Sequence, residues 1–493
     1  MKRMLCLLLI ALLTCALTVA SADSVHSLFQ RTLFGGGEDA PAEQSALDAA
    51  FEEDRLTLVK ADGIQITAED FDFTDAMLAA MGQQSVSSAE LRAAAEELVS
   101  GGNITLMSLS PTGNSGFLTL NGTPAAYYGG KVRMLYPSAE RGVEDTYENL
   151  KKYYEHLTAR FSVMIGEEGI QYSPDGRYAI ILNIRLSLIN GQFFLDPILI
   201  DLSTGEVILT ATYPTKFSQG TMAVATTATF SADGRYLYYM TYGHIDDTQT
   251  QLYRYDLESG TTELCRGNTQ WLYYPHLCEV GTESFIILSD TNRQSEQQKL
   301  VSLQKADDRW VLRERQLPVL RALYYANKMS YSAASGHGFL LGRNDAGAGY
   351  YGLSPISARD DYAGLNQVVC FTGGKAVTLS PEEYQAQVEA AGRALPEGEQ
   401  GRFGASFGYD AILQATLSPD GRYVLLLTEN QADSSRGLYL LRLEDLAMRE
   451  IGGIAPETIQ VGAFGRAYPI QIEWNTDTLI IGTEDGVQTY QFQ

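Results

Sequence analysis

A seven-residue pattern, Tyr172-Ser173-Pro174-Asp175-Gly176-Arg177-Tyr178, returns as Phe230-Ser231-Ala232-Asp233-Gly234-Arg235-Tyr236 and again as Leu417-Ser418-Pro419-Asp420-Gly421-Arg422-Tyr423. An internal repeat restricts the fold before any secondary structure is assigned. Each copy must be one supersecondary unit that buries its faces against its neighbours. The pattern has the chemistry of a tight turn between antiparallel strands. Pro presets φ at the first central position, Asp satisfies local backbone donors, and Gly takes the left-handed conformation. The candidate turn residues are therefore Asp175 and Gly176, Asp233 and Gly234, and Asp420 and Gly421.

An apolar, aromatic strand follows each copy: Tyr178 to Asn183, Tyr236 to Tyr242 and Tyr423 to Thr428. An alternating strand comes next, then a second turn and a short strand, so each unit supplies four strands. With that template as a ruler, weaker copies place hairpin turns near Gly113, Gly281, Gly336 and Asp477. Seven four-stranded units at this period predict an all-β, seven-bladed β-propeller over about residues 101–493. Two stretches exceed the period and read as insertions, about 138–165 and 359–409. The first carries a predicted helix from Asp145 to Arg160. The second carries a capping-box start, Ser380-Pro381-Glu382-Glu383. Residues 23–100 lack the repeat and read as a small helical segment, with helices over Glu43 to Glu53 and Ser88 to Val99. The last unit offers only three strands, Gln471 to Trp474, Thr478 to Gly482 and Val487 to Phe492. A strand within Leu56 to Lys60 is expected to supply the fourth and remove the open edge.

The Ser-Pro-Asp-Gly-Arg-Tyr units, followed by an alternating strand and a Ser/Thr-Gly turn, resemble the WD40-like repeats of the TolB β-propeller. These repeats also recur in the propellers of the prolyl oligopeptidase and dipeptidyl peptidase families. The resemblance covers roughly residues 101–493 and implies an extracytoplasmic scaffold that binds other proteins. TolB itself has six blades and an α/β N-terminal domain, so its particular partners are not carried over to this chain.

Lys2 and Arg3 precede an apolar run from Met4 to Leu17 that closes on Ala20-Ser21-Ala22, which reads as a secretory signal peptide over residues 1–22. The rival reading lipidates Cys15, but Leu13-Thr14-Cys15 places Thr where such signals have Gly, Ala or Ser. Export predicts a secreted, periplasmic or cell-envelope location and no integral membrane segment after cleavage. A formal charge of −24 disfavours nucleic acid as a partner, because phosphate binding needs a basic face. In an oxidising compartment a Cys265–Cys278 disulfide and two buried thiols both stay open.

Gly404-Ala405-Ser406-Phe407-Gly408 matches a nucleophile-elbow pattern, yet the last histidine is His337 and no Asp-then-His order follows. His244 with Asp246 and Asp247, Asp360 with Asp361, and Glu397 with Glu399 read as solvated loop charges, so neither a metal nor a cofactor is expected. The leading reading is an extracytoplasmic TolB-like scaffold that mediates protein–protein interaction without catalysis. Its candidate binding residues, Tyr362, Tyr384, Phe403 and Phe407, lie in the long insertion. The alternative is a propeller-type enzyme acting on glycans or other small substrates through carboxylates at the channel mouth. Several Asp, Glu, His or Arg side chains converging at the narrow end of the channel with displaced pKa values would favour the enzyme, and dispersed polar residues there would favour binding.

Overall fold

The computed structural model describes residues 46–61, 63–75, 78, 85–102, 104–120, 123–137, 170–186, 193–209, 223–243, 251–266, 273–281, 283–290, 298–306, 309–315, 325–332, 337–343, 351–357, 368–372, 375–380, 382–383, 386, 410–430, 433–459, 471–475, 478–483 and 486–493. The chain divides into two compact units, Met1–Glu53 and Asp54–Gln493. The described part of the first is the helix Ala46–Glu52 and the residue after it. In the second, the described strands fall into seven sheets, numbered here in chain order: sheet 1 over 104–134, sheet 2 over 170–209, sheet 3 over 223–266, sheet 4 over 273–315, sheet 5 over 325–379, sheet 6 over 410–450 and sheet 7 over 472–492. Within each sheet, consecutive strands pair antiparallel in the order in which the chain delivers them, and sheet 2 gains a fifth strand, Tyr136–Pro137, that runs parallel to Glu206–Leu209.

The three sharp repeat copies form one and the same turn. Ser173 Oγ donates to Asp175 Oδ1 (2.6 Å), the Arg177 and Tyr178 amides close the turn onto Asp175 and Ser173, and Gly176 takes φ +70°. The turns at Asp233–Gly234 and Asp420–Gly421 repeat these bonds, with φ +70° and +69°. The repeat arginine then fastens the next hairpin. The Arg177 carbonyl accepts the Leu202 amide, and its guanidinium pairs with Asp201 at 2.8 Å while lying over the Tyr178 ring. Arg235 does the same with Leu257, Asp256 and Tyr236.

The meanders stack face to face. Met107, Phe117 and Ala126 of sheet 1 pack with Ile170, Ala179 and Ile200 of sheet 2. Comparable apolar clusters join sheets 2 and 3, 3 and 4, and 5 and 6. Leu109 of sheet 1 meets Ile480 and Val487 of sheet 7, which brings the series back to its start. The first strands stand against one another. Gln471 of sheet 7 bonds both backbone groups of Leu109, Tyr172 Oη donates to Ser108 (2.7 Å), the Leu277 amide donates to Thr227 Oγ1 (3.1 Å), and Trp474 Nε1 donates to the Thr416 carbonyl (3.4 Å). In five of the described sheets the first strand carries an irregularity in its pairing with the second, a device that bends a strand. The architecture is a β-propeller whose first strands line the axis.

Sheet 7 is completed from the far end of the chain. Leu58–Lys60 pairs antiparallel with Gly486–Phe492, Leu58 standing opposite Phe492, which is the pairing that closure requires. The same segment reaches sheet 6, where the Leu58 amide donates to the Gly452 carbonyl and the Gly452 amide to the Leu56 carbonyl, both at 2.9 Å. The backbone approach is so close that Gly453, at φ +87°, leaves no room for a Cβ beside the Leu58 carbonyl. The helix Ser88–Ser100, opened by a reciprocal Ser87–Glu90 cap, contributes Leu91 and Leu98 to a cluster with Leu118, Leu120 and Val132 of sheet 1.

One boundary expected from the sequence is corrected. Residues 368–372 and 375–379, read as part of the 359–409 insertion, are the fourth and fifth strands of sheet 5. The fourth strand comes late in the chain, so linear spacing counted it as surplus. The Ser380–Glu383 cap does form, with reciprocal bonds of 2.8 and 3.2 Å. The predicted helix Asp145 to Arg160, the 138–165 insertion and residues 1–22 lie outside the described residues.

Two outcomes follow for stability. Leu58 is 1% exposed, so Leu58→Ala should cost roughly 2–5 kcal/mol in a single urea transition that unfolds every sheet together. Gly234→Ala should cost about 1 kcal/mol from the left-handed penalty alone, its new Cβ having 3.9 Å to Pro174. Gly176→Ala should cost more in the same titration, because its Cβ would stand 2.5 Å from Ser115 Oγ and 2.7 Å from Thr112 Oγ1.

Candidate functional site

The ladder register aligns the sheets residue by residue. In each one, the first-strand residue paired with the second residue of the next strand occupies the same layer. These residues are Leu109, Tyr172, Phe230, Glu279, Tyr331, Leu417 and Trp474. Six are apolar or aromatic, as the wedge between neighbouring sheets demands. Sheet 4 alone puts a carboxylate there. The hairpin that follows is also the odd one, with Glu283 at φ +50° and a second pairing irregularity between Glu279 and Gly281.

The Glu279 carboxylate reaches back to sheet 3, where its Oε2 accepts the Ala232 amide at 2.8 Å. Ala232 stands in the turn where Pro174 and Pro419 stand in the sibling copies, and proline has no N–H to give. Two departures from the repeat, in adjacent sheets, thus meet in one hydrogen bond.

Glu279 lines a cavity of about 370 Å³ whose wall comes from the first strands of four consecutive sheets, with Gln171 from sheet 2, Thr229 from sheet 3, Cys278 from sheet 4, and Ser330 and Tyr331 from sheet 5. That composition places it against the propeller axis. Burial pushes the Glu279 carboxyl up to about 7, opposed by the Ala232 amide and reinforced by the neighbouring Asp233 charge. Near neutrality this group exists in both protonation states, the condition for giving and taking a proton. Burial, and next the nearby Cys278, raise the Tyr331 phenol, so it keeps its hydroxyl proton as a donor.

The sequence-predicted turn residues Asp175, Gly176, Asp233, Gly234, Asp420 and Gly421 sit at the hairpin tips and hold the repeat together. Of these, Asp233 bears electrostatically on the cavity. Tyr362, Tyr384, Phe403 and Phe407 lie outside the described residues, as do His244, Asp246, Asp247, Asp360, Asp361, Glu397, Glu399 and the segment Gly404 to Gly408. Cys265 and Cys278 are not joined in a disulfide, and burial pushes Cys265 up to about 12. Among the described residues no group of three or more His, Cys, Asp or Glu side chains could hold a metal ion, and no helix is long and apolar enough to cross a membrane. Sequence reasoning passed over Glu279 because it falls in a worn copy. Its signal was the pairing of an Ala in place of Pro with an acid at the apolar layer one unit on.

No family model matches the chain, and no curated protein matches it. Solved structures resemble it in fold. An oligogalacturonate lyase in complex with manganese is 10% identical, with 79% of this chain and 90% of that one covered and a TM-score of 0.44. Prolyl oligopeptidase B from Galerina marginata is 11% identical over 80% of this chain, which spans 47% of the peptidase, with a TM-score of 0.39. The β-propeller domain of the Trilobed protease from Pyrococcus furiosus is 9% identical, covering 66% of this chain and 84% of that one, with a TM-score of 0.34. The cavity holds a carboxylate with a displaced pKa, which fits the propeller-type enzyme given as the alternative better than a non-catalytic, TolB-like protein-binding scaffold, and that expectation is corrected.

The raised Glu279 carboxyl has a consequence for stability. The native state holds this proton more tightly than the unfolded chain, whose glutamate titrates near 4.5. The Glu279 contribution is therefore full below that value and is lost as pH rises through about 7. In thermal melts between pH 4.5 and 8, Glu279→Gln should lack this part of the wild-type decline and should be the more stable form at the alkaline end.

Proposed function

We propose that the protein is an exported propeller-type enzyme that acts on a small polar substrate, glycans among the candidates, bound in the axial cavity with Glu279 as its proton donor and acceptor. The observation that carries this reading is a carboxyl group at a layer otherwise apolar, in a cavity, poised to titrate near neutrality. The Ala232 amide holds one carboxyl oxygen, Oε2. Tyr331 and Ser330 supply hydroxyls beside it, and Thr229 and Gln171 supply hydrogen-bonding groups from the facing wall. Export rests on the charged start, apolar run and small-residue exit of residues 1–22.

With the protonated form of Glu279 doing the work, turnover should fall as pH rises through about 7. Glu279→Gln should lower kcat by about 10² or more, the usual worth of a positioned acid–base group. Ala232→Pro fits a turn that carries Pro in the sibling copies, and it removes the bond that opposes the raised carboxyl pKa. The alkaline limb of the profile should then move to higher pH. The measurement is product release from a panel of oligosaccharides and other small esters and amides, with pH–rate profiles for the three proteins. Full activity of the Glu279→Gln variant overturns the reading, as does an alkaline limb that Ala232→Pro leaves in place.

A further inference from the structure

The cavity wall has two characters. Phe230, Met329 and Tyr331 present apolar and aromatic surface, while Gln171, Thr229 and Ser330 present an amide and two hydroxyls. A pyranose ring has the matching duality, with a face of C–H bonds and a rim of hydroxyls. The charge of the wall is one-sided. Glu279 is its ionisable carboxyl, Asp233 stands close enough to raise it, and among the described lining residues there is no Lys, Arg or His. The repeat arginines of the adjoining turns are committed elsewhere, Arg177 to Asp201 and Arg235 to Asp256. Recognition of a carboxylate or sulfate relies on Arg or Lys as a fork or point charge, and the described lining residues offer neither. The whole chain adds a field of the same sign, at −24.

We propose that the axial cavity takes uncharged saccharide units and excludes those bearing carboxylate or sulfate groups, the described wall, acidic and without a Lys, Arg or His, acting as the filter. The proposal rests on the enzyme reading above and narrows its substrate class. Below about pH 7 a neutral sugar hydroxyl or bridging oxygen can accept the Glu279 proton, whereas a sugar carboxylate would bring a second anion against Asp233, and against Glu279 once it ionises, with no counter-charge among the described lining residues.

The test is calorimetric titration of the full-length protein with pairs of oligosaccharides of equal length, one neutral and one built of uronate or sulfated units, at about pH 8, where Glu279 is ionised, in low and high salt. Neutral members should bind at least about tenfold more tightly than their charged counterparts, and high salt should narrow the gap by screening the repulsion. Thr229→Arg, with Gln171→Lys as a second variant should the first not fold, should reverse the preference by placing a cation in the wall. Equal or tighter binding of the uronate ligand by the wild type overturns the inference. So does an anion preference that neither folded variant changes. If no saccharide of either kind binds while another substrate turns over through Glu279, the inference fails and the enzyme reading stands. If Glu279→Gln keeps full activity, the enzyme reading fails by itself.

Discussion

A ring of sheets is stable only if no sheet is left with a bare edge and no wedge between sheets is left unfilled. Here the edge is removed by the three residues Leu58 to Lys60, which complete the last sheet against Gly486–Phe492 and bond the exit of the sheet before it. The wedges are filled by apolar side chains from the first, second and third strands of facing sheets. Tyr172 reaches Ser108 and Trp474 reaches Thr416 across their gaps, so packing and polar linkage come from the same residues. Each sheet therefore depends on the next, and the first on the last.

The candidate site is an exception to that rule, written into the same layer. A carboxyl at a wedge position gives up part of its hydration, and its proton affinity rises in consequence. The Ala232 amide offsets part of the cost and fixes the orientation of the group, at a turn whose sibling copies use Pro and have no amide to offer. The propeller thus positions Glu279 on a rigid first strand rather than on a loop, with the facing wall of the cavity built from three neighbouring first strands. Local departures from an otherwise consistent repeat are where function is commonly placed, since the remainder of the ring bears their cost.

Much of the fold was legible because the repeat turn is local chemistry. Ser173, Asp175 and Gly176 make their bonds within a few residues of one another, so a linear pattern suffices to find the hairpin and to count forward through the four strands. The missing strand of the last unit was legible too, through the requirement that a ring have no open edge. The fourth strand of sheet 5 was not, because chain spacing does not distinguish a late strand from an insertion. Glu279 escaped notice for a related reason. Its copy had lost the Asp-Gly turn, so only the pairing of Glu279 with Phe285 assigns it to the layer of Tyr172 and Phe230.

What the sequence by itself determined was the architecture and its punctuation. Alternating strands, left-handed glycines and the seven-residue repeat are properties of short segments, and short segments fold by rules that are read along the chain. What only the tertiary structure decided was which side chains share a space. Glu279 and Ala232 are 47 residues apart, and Gln171 and Tyr331 reach one cavity from sheets that do not touch in sequence. Ring closure brings them together. The desolvation that raises the Glu279 carboxyl exists only once neighbouring sheets have closed over it, and a property that depends on the excluded solvent of a finished fold is not written in any one segment of the chain.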